Sequence, residues 1–247
     1  MKFALSGSIR AAATSLVAIV PLVFAPGFLS PALAQAYQCA APQGIDPARP
    51  QRPDGPVRKV PVARYTLAAS WSPEYCKYNA KRSAMQCSRR NGRFGFILHG
   101  LWPEARIGPP PQWCALMPRP SAALLRRHLC MTPSAQLLAH EWAKHGSCMA
   151  KRPETYFKVS AILWESIRWP DADRLSRNDD LTAGDLREAF TRLNPEWRDS
   201  QIAIRTSRTG WLREVQLCYG RDFMPENCPT SSLGARNSAP LKIWRGL

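Results

Sequence analysis

The stretch Phe96-Ile-Leu-His-Gly-Leu-Trp-Pro103, near the middle of a 247-residue chain, decides how the fold is interpreted. It continues a run from Arg93 in which large apolar side chains alternate, and this alternation predicts a β-strand. The predicted strand ends by presenting His99. From Pro103 to Pro120 the chain is rich in proline and is predicted to be loop. The sequence therefore places a histidine at the end of a regular, largely buried element.

Further strands and helices are predicted on both sides of this stretch. Residues 65–71 have strand composition, and residues 201–206 and 211–219 are predicted to form a hairpin. Apolar residues three to four positions apart predict helices around 157–167 and 186–193. Helices in the middle with strands before and after predict an α+β fold, with a mostly antiparallel central sheet flanked by helices, in a single disulfide-bonded domain.

A second block, His140-Glu-Trp-Ala-Lys-His145, lies at the end of another predicted helix. Thr132-Pro133 is expected to begin this helix and Gly146 to end it. Each residue turns the side-chain direction by about 100°, so four polar side chains share one face of about 140°. These are His140, Glu141, Lys144 and His145. A solvated polar face is the alternative, but two imidazoles, a carboxylate and an ammonium together indicate a site.

A zinc hydrolase is one alternative for this helix, because a metalloprotease helix carries two histidine ligands at i and i+4. Here His140 and His145 stand at i and i+5, about 140° apart, which is unfavourable for gripping one ion. The remaining histidines are His99 and His128. We therefore expect no metal and no cofactor.

Eight cysteines follow residue 34, and an even number in an exported protein predicts four disulfides. Zinc is the weaker alternative, because no two cysteines have the two-residue separation of a zinc knuckle. Cys76 and Cys87, and likewise Cys218 and Cys228, are close enough to form local bridges. Spacing does not settle the connectivity. The full set is Cys39, Cys76, Cys87, Cys114, Cys130, Cys148, Cys218 and Cys228.

The N-terminal residues 1–34 are predicted to be a signal peptide, with two basic residues, an apolar run and Ala32-Leu-Ala34 before the cleavage point. Cleavage two residues later is the alternative. A retained membrane anchor is disfavoured, because the run contains two prolines and a glycine. We expect export to the periplasm or the medium, and no membrane anchor after cleavage. Residues 35–62 are predicted to form a strap rich in proline and arginine in which no residue points to chemistry, and residues 63–247 are predicted to form the main domain.

Charge and chemistry together suggest a substrate. Loss of Lys2 and Arg10 with the signal peptide leaves 32 of the 34 basic residues against 18 acidic ones, a net charge of about +14. A polyanion is the natural partner, although solubility alone also explains such a charge. Two imidazoles and a cation can cleave RNA, whose own 2′-hydroxyl supplies the nucleophile. Imidazole suits both proton transfers because its pKa lies near 6.5, and Lys144 could stabilise the phosphorane.

The two blocks resemble the paired active-site segments of the ribonuclease T2 family. Residues 96–103 are similar to the first segment and residues 140–148 to the second, with Ser147 where the family usually has threonine. Residues 67–76 resemble the family's first core strand. Residues 214–219, followed by Cys228, resemble its C-terminal strand and disulfide. The resemblance covers roughly residues 63–230 and implies a ribonuclease T2-like fold.

The resemblance also implies roles for individual residues. His145 would be the base and His99 the acid in transphosphorylation, with Glu141 and Lys144 stabilising the transition state. His140 would bind the phosphate. Trp102 would stack on a base, and Glu104 would contact a base through its carboxylate. Cys148 would be cross-linked to the loop after the first block, with Cys114 preferred over Cys130.

The resulting expectation is an endoribonuclease that leaves a 2′,3′-cyclic phosphate and then a 3′-phosphate. RNA is the expected substrate, DNA should survive because it lacks the 2′-hydroxyl, and we expect a monomer. A non-catalytic protein that keeps this fold for RNA binding, storage or interaction is the alternative, disfavoured because all the catalytic residue types are present. The sequence leaves base preference open.

Overall fold

The main sheet has four antiparallel strands, whose order differs from their order in the chain. The structure is a computed structural model that describes residues 36–37, 39–81, 84–116 and 118–246, so the predicted signal peptide lies outside the described residues. In the sheet the strands follow the order β4, β2, β6, β5. Their bounds are β2 Arg64–Trp71, β4 Phe96–Glu104, β5 Ile202–Thr206 and β6 Leu212–Tyr219. A separate antiparallel pair joins β1 (Ala36–Tyr37) to β3 (Arg93–Phe94).

Five of the helices within the described residues lie between β4 and β5, in the part of the chain where the sequence predicts helices. The bounds of the helices within the described residues are α1 Ser72–Asn79, α2 Ala84–Cys87, α3 Ala122–Arg127, α4 Ala135–Lys144, α5 Pro153–Glu165, α6 Ala172–Leu175 and α7 Ala183–Leu193. Short 3-10 turns cover Gly146–Cys148, Asp199–Gln201 and Thr230–Ser232. The prediction of an α+β domain with an antiparallel sheet and flanking helices is confirmed.

The core lies between one face of the sheet and the helices. Leu67, Ala69 and Trp71 alternate along β2 and therefore point to the same side, where they belong to one buried cluster. α5 contributes Tyr156 and Phe157 to this cluster. The other face of the sheet carries the polar side chains of Thr66, Ser70, Glu214 and Gln216 among small buried residues, so polar groups are available there to build a site.

His99 lies inside a strand and not at the end of one. β4 continues past His99 to Glu104. Its pairing with β2 shifts by one residue at this point: Ala68 pairs with Gly100 and Ala69 with Leu98. His99 is the extra residue of this β-bulge, which re-aims its side chain. Pro103 is tolerated in the strand because β4 is at the sheet edge.

Helix α4 begins two residues later than the sequence predicts. Ser134 caps α4 by accepting a hydrogen bond from the Leu137 amide at 3.2 Å. Thr132 is buried and instead donates its hydroxyl to the Leu98 carbonyl at 2.6 Å. At the other end, His145 is the C-cap, and Gly146 follows in a position where a Cβ atom would collide with the rings of Trp142 and Tyr156.

Four disulfides hold the domain, and their pairing confirms the local bridges and the Cys114–Cys148 bridge. The fourth, Cys39–Cys130, fastens the N-terminal strap to the loop after α3. The strap is held again where the backbones of Arg58 and Gln112 exchange two hydrogen bonds. In the part of the chain that the structure describes, no helix has the length and apolar character needed to cross a membrane.

Candidate active site

The carboxylate of Glu141 is the meeting point of the two histidine blocks. Its side chain is only 4 % exposed. One oxygen, Oε1, lies 3.7 Å from Nε2 of His99, and the other, Oε2, lies 4.0 Å from Nε2 of His145. Oε2 also accepts a 2.7 Å hydrogen bond from the indole N–H of Trp102. The bulged strand β4 and the last turn of α4 therefore bring both imidazoles to one buried acid.

Gly100 makes this approach possible. A Cβ atom at this position would overlap Oε2 of Glu141 and would lie 2.8 Å from Cδ of Glu141 and 2.7 Å from Nε1 of Trp102. Any larger residue would push the carboxyl group away from the imidazoles. The glycine next to His99 is thus required by the close packing of helix α4 on strand β4.

The surroundings shift the pKa values of His99 and His145 in opposite directions. Burial alone would lower the pKa of His99, but the hydrogen bond to Glu214 and the charges of Glu141 and Glu214 raise it above its ordinary value. Burial, together with the nearby cations Lys144, His140 and His99, lowers the pKa of His145 to about 3. His99 therefore favours the charged form and His145 the neutral form.

The pKa of Glu141 is also strongly shifted. Complete burial raises its pKa to about 7, although the charge of His99 and the Trp102 hydrogen bond favour the ionised form. A carboxyl group that titrates near neutrality can both accept and release a proton under working conditions. The buried Nδ1 of His145 finds no hydrogen-bond partner among the described residues, so the ring is held mainly by packing.

Lys144 and His140 face a carboxylate that the sequence did not assign to the site. Nζ of Lys144 lies 2.9 Å from Oδ2 of Asp54, and Nε2 of His140 lies 3.8 Å from the same atom. The hydrogen bond from Lys144 holds the pKa of Asp54 below its usual value. Asp54 comes from the strap, within the short turn-forming sequence Pro53-Asp-Gly55. The strap therefore reaches the site, contrary to the expectation that it lacks chemistry.

Trp113 fixes Asp54 and the end of helix α4 together. Its indole N–H donates to Oδ1 of Asp54 at 3.1 Å, and its backbone N–H donates to the Lys144 carbonyl at 2.7 Å. Its ring meets His140 edge-on, with centroids 5.5 Å apart. Trp113 has a φ of 55°, in the left-handed region that tryptophan rarely adopts. Such strain is typical of functional sites, and sequence reasoning missed this residue.

The two residues predicted to contact a base lie further along β4. The ring of Trp102 lies 5.1 Å from that of His99 and 5.6 Å from that of His145, so it packs within the cluster. Glu104 is two residues on and shares its face of the strand. Burial raises the pKa of Glu104. It lies five residues from His99, roughly 16 Å along a strand.

The Cys114–Cys148 disulfide connects the loop after β4 to the 3-10 turn after α4. The Ser147 hydroxyl links the same two segments: it donates to the Ala143 carbonyl at 2.8 Å and accepts from the Cys114 amide at 3.1 Å. Within the described residues, no three histidine, cysteine or acidic side chains are grouped so that they could hold a metal ion. The groups that converge here are suited to proton transfer and anion binding.

Comparison with known proteins assigns this arrangement to a family. The Ribonuclease T2 family matches residues 63–219. A probable ribonuclease of Haemophilus influenzae is 31% identical over 183 residues, which cover 69% of this chain and 62% of that protein. A ribonuclease of Aeromonas hydrophila is 36% identical over 170 residues, 64% of this chain and 72% of that protein. The chain thus spans less than two thirds of the first relative's length.

Solved structures agree on the fold. The crystal structure of RNase NT in complex with 5′-AMP superposes with a TM-score of 0.57 at 18% sequence identity, covering 74% of this chain and 98% of that one. The family match includes both histidine blocks and spans more than half of the sequence. The chain belongs to the ribonuclease T2 family.

Proposed function

We propose that this chain cleaves single-stranded RNA by metal-independent acid–base transphosphorylation, through a 2′,3′-cyclic phosphate to 3′-phosphate ends. One observation carries the proposal: His99 and His145 turn their Nε2 atoms to the same buried carboxylate, that of Glu141. Their pKa values are displaced in opposite directions, so one ring is suited to donate a proton and the other to accept one.

In the first step His145, neutral at Nε2, accepts the proton of the 2′-hydroxyl. The freed 2′-oxygen attacks the adjacent phosphorus, and the bond from phosphorus to the 5′-oxygen breaks. His99, protonated, donates its Nε2 proton to the departing 5′-oxygen. The products are a 2′,3′-cyclic phosphate and a 5′-hydroxyl, and the two histidines have exchanged protonation states.

In the second step the same two groups act in reverse on water. His99, now neutral, accepts a proton from the water that attacks the cyclic phosphate. His145, now charged, returns its proton to the 2′-oxygen as that bond breaks, which leaves a 3′-phosphate. Both histidines end in their starting states, so no external acid or base is consumed.

Negative charge that develops on the phosphate needs cations and donors nearby. Lys144 and His140 converge on Oδ2 of Asp54, and we propose that a substrate phosphate takes the place of this carboxylate. We assign phosphate binding to His140 and stabilisation of the phosphorane to Lys144 and Glu141. Trp102 and Glu104, on one face of β4, are the groups that we assign to contact with a base.

The proposal also includes where the protein acts and its oligomeric state. Four disulfides, typical of an oxidising compartment, support export to the periplasm or the medium. The predicted signal peptide, residues 1–34, would direct that export. The strap of residues 35–62 and the catalytic domain of residues 63–247 would then act as one exported monomer on RNA.

The test incubates the purified protein with single-stranded RNA in excess EDTA. We expect cleavage by the wild type, products ending in 2′,3′-cyclic phosphate, and at least a ~10³-fold loss in His99→Ala and in His145→Ala. His128→Ala is the matched control, because His128 caps α3 and packs on Phe157 away from the site. RNA methylated at every 2′-oxygen and single-stranded DNA should both survive. Cleavage of the methylated RNA, or loss of cleavage in EDTA, would refute the mechanism.

A further inference from the structure

We infer that Glu214 is the positioning residue for the acid histidine: it holds His99 through Nδ1 so that Nε2 faces the leaving oxygen. The inference rests on the proposed function and deepens it. Glu214 lies on β6, two strands away from His99 in the sheet, and the sequence identified it only as part of the C-terminal strand.

The contact is short and shielded from water. Oε2 of Glu214 lies 2.8 Å from Nδ1 of His99, and the Glu214 side chain is 12 % exposed. The bulge in β4 turns His99 towards β2 and β6, where Glu214 stands opposite Ser70 in the register of the two strands. A histidine without the bulge would follow the alternation of the strand and meet different partners.

Other side chains fix Glu214 in turn. Oε2 accepts a hydrogen bond from the Ser70 hydroxyl at 3.0 Å, and Oε1 accepts one from the Gln216 amide at 2.7 Å. Arg205 donates to the Gln216 amide oxygen at 2.9 Å. Arg205, Gln216, Glu214 and His99 thus form one hydrogen-bonded chain across the sheet face. A carboxylate with this many donors has few other orientations available.

This arrangement determines which nitrogen of His99 reaches the substrate. Glu214 accepts a hydrogen bond from Nδ1–H of His99, and this bond fixes the ring so that Nε2 points to the Glu141 carboxylate and the cleft. Burial alone would raise the pKa of Glu214, but the hydrogen bonds and charge of its partners lower it below its ordinary value. Glu214 therefore stays ionised and stabilises the charged imidazole that the acid step requires.

The groups that face His99 come from two sides. Glu214 approaches from β6, and Glu141, Lys144, His140 and His145 approach from helix α4 and its cap. Glu214 and Glu141 raise the pKa of His99, whereas Lys144 lowers it. Removing the Glu214 charge leaves the helix groups unchanged, so the pKa of His99 should fall.

The experiment compares wild type with Glu214→Gln, which has the same shape and lacks the charge. We expect kcat to fall about 10- to 100-fold, the range for losing a charged hydrogen bond, with KM changed less than about threefold. The basic limb of the pH–kcat profile should move to lower pH, because His99 must stay protonated to act as the acid. Glu214→Asp, which keeps the charge, should restore part of kcat and of the limb.

Controls separate positioning from general damage. Glu188→Gln removes an exposed carboxylate that pairs with Arg192 on the surface of α7, and it should leave kcat and the profile unchanged. NMR titration of the imidazoles reports the pKa of His99 without an activity assay, and a chain with four histidines gives a simple spectrum. If Glu214→Gln does not fold, Glu214→Asp and Ser70→Ala carry the same test, with smaller shifts in the same direction.

The outcomes distinguish the inference from the function. If the wild type cleaves RNA but Glu214→Gln keeps full kcat, or if the pKa of His99 does not change in Glu214→Gln, the inference alone is overturned. A kcat loss in Glu214→Gln with an unshifted profile assigns a merely structural role and also overturns it. Wild type that does not cleave RNA overturns the proposed function and the inference with it. A fall in kcat together with a shifted limb and a lowered His99 pKa supports the positioning role.

Discussion

Replacing Gly100 with alanine is a direct test of how Glu141 is held between the histidines. The added Cβ would lie 2.8 Å from Cδ of Glu141 and 2.7 Å from Nε1 of Trp102, against an ordinary contact of at least 3.4 Å. It would also overlap Oε2 of Glu141, so the carboxyl group must move by about 1 Å and the indole by about 0.7 Å. A displacement of about 1 Å in a catalytic group can cost roughly 100-fold in rate.

We expect kcat of Gly100→Ala to fall about 10- to 100-fold, measured with a short fluorescent RNA oligonucleotide, and the unfolding free energy to fall by about 1–3 kcal/mol. Gly44→Ala is the matched control, since nothing lies within 4 Å of a Cβ at that position. An unchanged kcat in a folded Gly100→Ala protein would show that the Glu141 position is not critical, and the reasoning from close packing would fail.

Three further predictions concern charge and covalent bonding. Because burial raises the pKa of Glu141 from 4.5 to about 7, the folded state holds this proton more tightly than the unfolded state. As pH rises from about 4.5 to 7, the unfolding free energy of the wild type, measured in urea, should therefore fall by about 3 kcal/mol relative to that of Glu141→Gln. Parallel plots of unfolding free energy against pH for the two proteins would contradict this. Asp54→Asn should lower KM by up to about fivefold with little change in kcat. The reason is that substrate phosphate must replace the half-exposed ion pair between Asp54 and Lys144, which is worth at most about 1 kcal/mol. A raised KM would instead make Asp54 part of the binding site. Replacing both Cys114 and Cys148 with serine should cost about 4 kcal/mol of unfolding free energy in thermal melts, given a sequence separation of 34, and no loss would argue against this bridge.

The sequence was sufficient where local periodicity or a motif carried the information. The shared face of α4 follows from its spacing, so His140, Glu141, Lys144 and His145 could be predicted as a group. The antiparallel hairpin near the C-terminus follows from its alternating residues, and β5 and β6 confirm it within one residue.

The rest depends on long-range contacts that no local pattern encodes. The sequence predicts His99 at a strand end, but a bulge depends on the register of two strands, which is set only when they pair. Asp54 lies 90 residues before its partner Lys144 in the chain. Glu214 lies 115 residues after His99, and its strand position alone gave no sign that it would face an imidazole.

The tethering of the strap has a practical consequence for defining the smallest active unit. A recombinant protein started at residue 63, where the family match begins, would keep every histidine of the site. It would also leave Cys130 as an unpaired thiol, remove the acid that neutralises Lys144 and strip the backbone bonds from Gln112. Boundaries taken from the family match alone therefore remove contacts that the domain uses, and a recombinant protein should begin upstream of Cys39.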